Sequence, residues 1–509
     1  MGERRVHRVS GYVLVCARLV AACANTGNGA SVIQAHSSAS ANSSSTETAG
    51  TQAPVPSSAP PQTGPTTNLT ETIPFHPGNG KAKRPYDDIV RAELDDIASF
   101  WANEFPVVFG SAYTVPAAGV FPGYPRRTDI PNCGPNAVDY ETVLKGNAFY
   151  CPESDYLAYD DAQLFPAVFD KLGGVSLGVI LAHELGHSVQ TRSGVPSNTP
   201  TIALEQQADC YAGTWAAHLQ QEKNPTLPFG EADVKNALLA LLSFKDPIGA
   251  SPSQPGAHGS GFDRVGAFED GFSNGAKKCS TYIKNLPPVL ELPVDQTFFV
   301  NNGNAPLDDP NNPALPDANN PQAEVGIYGL LITDLPRFWQ QQLSSRQVTF
   351  KPPKLVGYNA SGPFPACSTK LDFSKSASVY CQSTNTIAVN ITTATQFYNQ
   401  FGDYAIGYVV GDAYSEAVQL ALGSQLTGAK RALLDDCLTG VYTRDTIPSA
   451  ATPANHVTIQ AGDLDEAVEA AVQVGDATTT QNHLGTGFEK VAAFRSGVLT
   501  GITACPTTG

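Results

Sequence analysis

Apolar residues recur at three- and four-residue steps over much of the chain, the spacing that lines one face of an α-helix. The stretches "YDDIVRAELDDIASFWANEF", "EADVKNALLALLSF" and "DLDEAVEAAVQV" show it most clearly, with acidic residues at or near their starts, where helix N-termini favour negative charge. Strand-like segments such as "VTFKPPKLVGY" are short and scattered. This pattern predicts a mainly α protein, α+β with minor strands.

The same pattern occurs twice. "DDIASFW" ending at Trp101 matches "TDLPRFW" ending at Trp339, and "FYC" at Cys151 matches "VYC" at Cys381, each preceded by another cysteine, Cys133 and Cys367. "VILAHELGHSVQ" ending at Gln190 lies over "YVVGDAYSEAVQ" ending at Gln419, and "ADCYAGTW" around Cys210 lies over "DDCLTGVY" around Cys437. "HGSGFDRVGAF" before Cys279 lies over "HLGTGFEKVAAF" before Cys505. Four cysteines recurring in order at a nearly constant offset indicate a duplicated domain. The Pro- and Asn-rich "VNNGNAPLDDPNNPALPDANNPQ" between the copies reads as a linker or long surface loop. The expected organisation is a first domain over 78–283, a linker over 284–322 and a second copy over 323–509.

The N-terminal part lacks this periodicity. Basic "MGERRVHR" leads into the apolar run "YVLVCARLVAA", too short to span a bilayer, and then into Cys23. "VAAC" resembles the lipobox of bacterial lipoproteins, in which the cysteine receives a diacylglyceryl group. Arg18 departs from that pattern, because a charge inside the apolar run weakens engagement with the export machinery. Residues 1–23 are thus expected to be a signal peptide with lipidation at Cys23. Residues 24–77, dominated by Ser, Thr, Ala, Pro and Gly, cannot bury enough apolar area to offset their ordering entropy and read as a disordered tether. Together these segments predict an exported chain, anchored by lipid to the cell membrane and facing away from the cytoplasm.

Composition narrows the function. The net charge of −16 and the lack of any basic block interleaved with aromatics oppose nucleic-acid binding. Setting aside Cys16 and Cys23, eight cysteines remain, with no C-x-x-C spacing, and an even count in an exported chain favours four disulfides. Keeping every bridge inside one copy pairs Cys133 with Cys151, Cys210 with Cys279, Cys367 with Cys381 and Cys437 with Cys505. Other connectivities stay open, since spacing alone does not determine them.

The candidate chemistry lies in "LAHELGHSVQ". On a helix His183 and His187 stack on one face within reach of a single cation, with Glu184 beside them. After the turn-rich "TRSGVPSNTP", the segment "ALEQQADCYAGTWAAHL" places Glu205 and Asp209 four residues apart on one face. Helical zinc hydrolases need three protein ligands and an open fourth position. Glu205 can complete the set, and Asp209 is placed to accept from the outer nitrogen of a ligating histidine. Ala208, Ala212 and Gly213 would let this second helix approach the first closely.

"HELGHSVQ", "LEQQADCYAGTW", "NAFYCPESDYLAYDD" and "HGSGFDRVGAFEDGFSNGAKKC" together resemble the bacterial neutral zinc metallopeptidase family, over roughly 86–279 and in family order. The anchored, tethered form resembles a mycobacterial-type lipoprotein peptidase. The resemblance implies a zincin-like helical domain, Zn²⁺ on His183, His187 and Glu205, Glu184 as general base, and a peptide or protein substrate. His258, opening "HGSGF", is a candidate donor to the oxyanion, although His483 opens the matching motif of the other copy. Ser188 stands where the family often has another histidine.

In the second copy Asp412, Ala413, Glu416 and Ala432 replace His183, Glu184, His187 and Glu205. That copy is expected to be degenerate, with Asp436 left as an orphan acid opposite Asp209. A calcium site on Asp412 and Glu416 is an alternative for which the sequence shows few oxygen ligands. For the whole chain, the alternatives to a peptidase are an inactive, protease-like binding or assembly protein of the cell envelope and a zinc hydrolase of cell-wall peptides.

Overall fold

The structure, a computed structural model, describes residues 72–254, 256–292, 304–315, 325–367, 376–449, 457–475 and 484–506. The lipobox with Cys23, nearly all of the expected tether, and His483 fall outside these residues. No helix among the described residues is long and apolar enough to cross a membrane.

The first copy runs α1 (Asp87–Phe109), β1 (Gly119–Gly123), β2 (Ala148–Cys151), β3 (Tyr156–Asp160), α2 (Leu164–Leu172), α3 (Gly174–Ser193), α4 (Thr201–Glu222), α5 (Glu231–Ser243) and α6 (Gly261–Cys279). The second repeats that order with α7 (Ile327–Ser344), β4 (Lys354–Tyr358), β5 (Ser378–Cys381), β6 (Thr386–Asn390), α8 (Ile391–Phe401), α9 (Asp403–Leu422), α10 (Gly428–Thr446), α11 (Asp463–Val474) and α12 (Gly487–Thr500). The molecule is therefore mostly helical and duplicated, as the periodicity indicates. Each sheet has three strands, ordered β1-β3-β2 and β4-β6-β5. The central strand pairs parallel to the first and antiparallel to the last. β2 is thus an edge strand, and it lies against α3.

Two glycine placements set the helix packing. Gly173 and Gly402, at φ 80° and 119°, turn the chain sharply from α2 into α3 and from α8 into α9, in a region that side chains rarely adopt. Gly213 and Gly271 let the backbones of α4 and α6 touch: an added Cβ would sit 2.0 Å from Phe268 O at Gly213 and 1.7 Å from Cys210 O at Gly271. Gly440 and Gly497 repeat this in the second copy, 2.1 Å from Phe494 O and 2.0 Å from Cys437 O. Gly213 therefore serves the α4–α6 contact. On the α3–α4 side the expected close approach is made at Gly186 against Ala208.

Disulfide Cys210–Cys279 ties α4 to the end of α6 and Cys437–Cys505 ties α10 to the segment just after α12, while Cys133–Cys151 and Cys367–Cys381 brace the sheets. Trp101, Trp215 and Trp339 are fully buried. One apolar core runs through the first copy and on into Tyr404, Tyr408, Leu464, Val491 and Phe494 of the second, so the copies share an interior. Residues 304–315, within the stretch read as linker, hold the second copy: Ala305 N donates to Asp403 Oδ2, and Asp308 accepts from Tyr328 N and Gly329 N.

Candidate metal centre

α3 is buried along most of its length because small and apolar residues surround it on nearly every side, so its two histidines lie at the bottom of a cleft. The rings of His183 and His187 are 4.9 Å apart and perpendicular. α4 brings Glu205 to them, with Oε2 3.2 Å from His183 Nε2 and 3.6 Å from His187 Nε2. One donor atom from each of the three lies within 4.8 Å of the others.

The outer nitrogens are already committed. His183 Nδ1 is 2.8 Å from Asp209 Oδ1, and His187 Nδ1 is 3.0 Å from Gln190 Oε1. Gln190 is fixed in turn by donating Nε2 to Leu204 O. Both inner Nε2 atoms therefore face Glu205, the tautomer a metal ligand needs. Asp209 is gripped by α6: Arg264 Nε donates to its Oδ2 at 2.9 Å and Nη2 to its Oδ1 at 2.7 Å, with Asp209 wholly buried. Sequence reasoning missed Arg264; its only signal was the basic residue shared with Lys490 in the repeated motif.

Charge follows from this packing. Burial opposes a proton on His183, yet Asp209, Glu205 and Glu184 outweigh it and push its pKa up to about 10. Burial likewise works against the Glu205 carboxylate, but His258, His187 and His183 hold its pKa well below the ordinary range. For Glu184 burial prevails over the neighbouring histidines, and its pKa rises. The centre attracts positive charge onto the atoms that converge. Two imidazoles and one carboxylate suit zinc, and three ligands leave a position open, so the residues present fit the ion.

Glu184 is aimed into the cleft, where its Oε2 accepts from Tyr150 N of β2 at 3.0 Å. β2 is pinned by Arg192, the last basic residue of α3, which donates to Tyr150 OH and to both oxygens of Asp155. The cleft, about 530 Å³, is lined by Phe149, Tyr150, Val195, Pro196 and Leu204 besides the charged groups. His258 also lines it, with Nε2 3.8 Å from Glu205 Oε2 and Nδ1 3.5 Å from Asp246 Oδ1. Ser188 points away from the cleft to Tyr113 OH. Two groups stand apart: His218 packs on Phe100, and Cys210 is bridged to Cys279.

The second copy keeps the scaffold without the ligands. Asp436 is not an orphan: it accepts from Lys490 Nζ at 3.0 Å and from Tyr408 OH. Lys490 thus replaces Arg264, and Asp412, hydrogen-bonded to Asp436, stands where His183 would be. Glu416 instead pairs with Arg431 at 3.2 Å, and among the described residues neither it nor Asp412 belongs to a group of three converging metal-ligating side chains. Gln419 still donates to Arg431 O, as Gln190 does to Leu204 O.

A family model described as "Putative neutral zinc metallopeptidase" matches residues 71–282 and again 294–492. The uncharacterized protein YpfJ of Escherichia coli is 27% identical over 246 residues, covering 44% of this chain and 79% of that protein. The uncharacterized protein Rv2575 of Mycobacterium tuberculosis is 28% identical over 196 residues, 33% of this chain and 63% of that protein. No solved structure matches the chain.

Proposed function

This chain belongs to the neutral zinc metallopeptidase family, and from that premise we propose that its first copy hydrolyses peptide bonds in the cleft over α3. The observation that supports this is the convergence of His183, His187 and Glu205 within 4.8 Å, beside a buried carboxylate that is not a ligand. These three residues would hold Zn²⁺, which when bound supplies Lewis-acid polarisation and a lowered pKa for water.

The chain's own residues do the rest. Glu184 takes a proton from the attacking water and returns it to the departing amine, while Tyr150 N keeps its carboxylate oriented. The raised pKa of Glu184 suits both halves of that shuttle. His258, steadied by Asp246, donates to the developing oxyanion. Asp209, held by the Arg264 fork, keeps His183 in its ligating tautomer.

The N-terminal pattern supports an exported, lipid-anchored form with Cys23 as the acylated residue and 24–77 as tether. Cys23→Ala would then leave the protein out of the membrane fraction, whereas unchanged fractionation refutes the anchor.

The test of the centre is zinc stoichiometry with a broad peptide digest. The full chain is expected to bind one equivalent and to cleave peptides only when loaded. His183→Ala and His187→Ala should each lose the metal. Unchanged zinc content in either variant would contradict the ligand assignment.

A further inference from the structure

The second copy has lost its ligands yet shares a core with the first, and two of its side chains reach the first turn of α6. Asp465 of α11 accepts a hydrogen bond from Phe262 N at 2.9 Å. Its carboxylate thus stands at the positive end of α6. Arg495 of α12 donates to Phe262 O and lies 4.0 Å over the Phe262 ring. Lys245, just beyond α5, reaches Glu469 at 2.6 Å and Asp465 at 3.6 Å. Two glycines make room: a Cβ at Gly261 would lie 3.2 Å from the Asp465 carboxyl, and one at Gly266 would overlap the Arg495 guanidinium.

Arg495 and Glu269 occupy equivalent places in the two copies and pair with each other at 3.4 Å, as residues across a pseudo-twofold axis do. In the first copy Asp233 caps its own helix by accepting from Gly230 N, and Lys235 Nζ reaches the second copy at Gln473 O. Both helices cap themselves, α6 through Ser260 and α12 through Thr486 and Glu489. α12 is touched by the first copy in turn, with Phe488 packed on Phe272 at 4.8 Å.

Two residues after Phe262 on that helix comes Arg264, which grips Asp209, which in turn holds His183 Nδ1. We propose that the second copy is a positioning domain for the first, with Asp465 and Arg495 as positioning residues that fix the α6 turn from which Arg264 and Asp209 aim His183. This inference rests on the zinc reading of the centre. It gives the degenerate copy a task that needs none of the lost ligands.

The test uses the full chain with Asp465→Ala, Asp465→Asn and, at another part of the same junction, Lys235→Ala, which removes the bond from Lys235 Nζ to Gln473 O. Zinc Kd is read by chelator competition, and amide exchange over 261–265 is read in the metal-free protein. Asp465→Ala is expected to raise the zinc Kd about tenfold, the low end for loss of a group that orients a ligand, and to speed exchange of that turn. Asp465→Asn, which keeps an acceptor for Phe262 N, should recover most of the affinity, and Lys235→Ala should leave it unchanged. Should Asp465→Ala not fold, Arg495→Gln loosens the same turn from Phe262 O and is expected to act in the same direction.

A Kd within twofold of wild type in Asp465→Ala overturns the proposal, as does equal weakening in Lys235→Ala. If wild type binds no zinc, the reading of the centre fails instead. Amide exchange then decides the clamp by itself: unchanged protection of 261–265 refutes it.

Discussion

Glu184→Gln separates the base from the ligands. Glu184 is 9% exposed, and it accepts a hydrogen bond from Tyr150 N at 3.0 Å. The amide has the same shape and keeps a carbonyl acceptor for that bond. Because burial already disfavours the carboxylate, neutralising it removes no favourable solvation. Stability should therefore change by no more than about 0.5 kcal/mol, the range of a substitution that breaks no packing or pairing. Zinc content should stay at the wild-type level, since none of the three converging donors is altered. The proton shuttle is lost, and general acid–base catalysis is worth about 10²–10⁴-fold, or roughly 3–5 kcal/mol of activation free energy. The assay is kcat/KM on a quenched-fluorescence peptide selected from the digest, with zinc analysis and a urea midpoint on the same sample. Zinc-loaded Glu184→Gln retaining a tenth or more of wild-type activity would refute the role given to Glu184, and loss of zinc would show that it is a ligand.

Three further outcomes follow from the packing. Gly271→Ala puts a methyl 1.7 Å from Cys210 O, and only backbone can yield, so α4 and α6 must part against their disulfide; a urea melt should show about 1–3 kcal/mol of destabilisation, and a loss below about 0.5 kcal/mol would contradict the contact. Arg192→Ala releases Tyr150 and Asp155, so β2 loosens over Glu184; kcat should fall with zinc content unchanged, and an unaltered kcat would remove Arg192 from the account. In the second copy burial raises Asp403 to about 6 and Glu466 to about 10. A raised carboxyl pKa stabilises the fold below the unfolded value near 4 and loses that contribution as pH climbs through the folded value. Stability should thus decline from pH 4 upward, by up to about 1.4 kcal/mol per pH unit for each proton. Glu466→Gln should flatten the decline in urea melts at several pH values, and an unchanged slope would exclude this cluster as its source.

Much of the fold was legible along the chain because it is written in local pattern. The three- and four-residue apolar spacing specified the helices, and the order of Trp101, Cys151, Cys210 and Cys279 against Trp339, Cys381, Cys437 and Cys505 revealed the duplication. His183 and His187 needed only helical geometry to share a face, and Glu205 and Asp209 declared themselves by the same four-residue step. What spacing cannot carry is the partner of a side chain from a distant element. Arg264 and Tyr150 lie 55 and 34 residues from the groups they touch, and Lys490 lies 54 from Asp436. Asp436 therefore looked unpaired until α12 was folded against α10.

By itself, then, the sequence determined the elements, their repetition and the identity of the converging donors, since each depends on neighbours within a few turns. Tertiary structure alone decided which helix Gly213 serves, how Asp209 and Asp436 are neutralised, and that the second copy grips α6. Those outcomes depend on distances between backbones brought together only when the two copies bury a common apolar interior, a non-local free-energy gain that leaves no periodic trace in the chain.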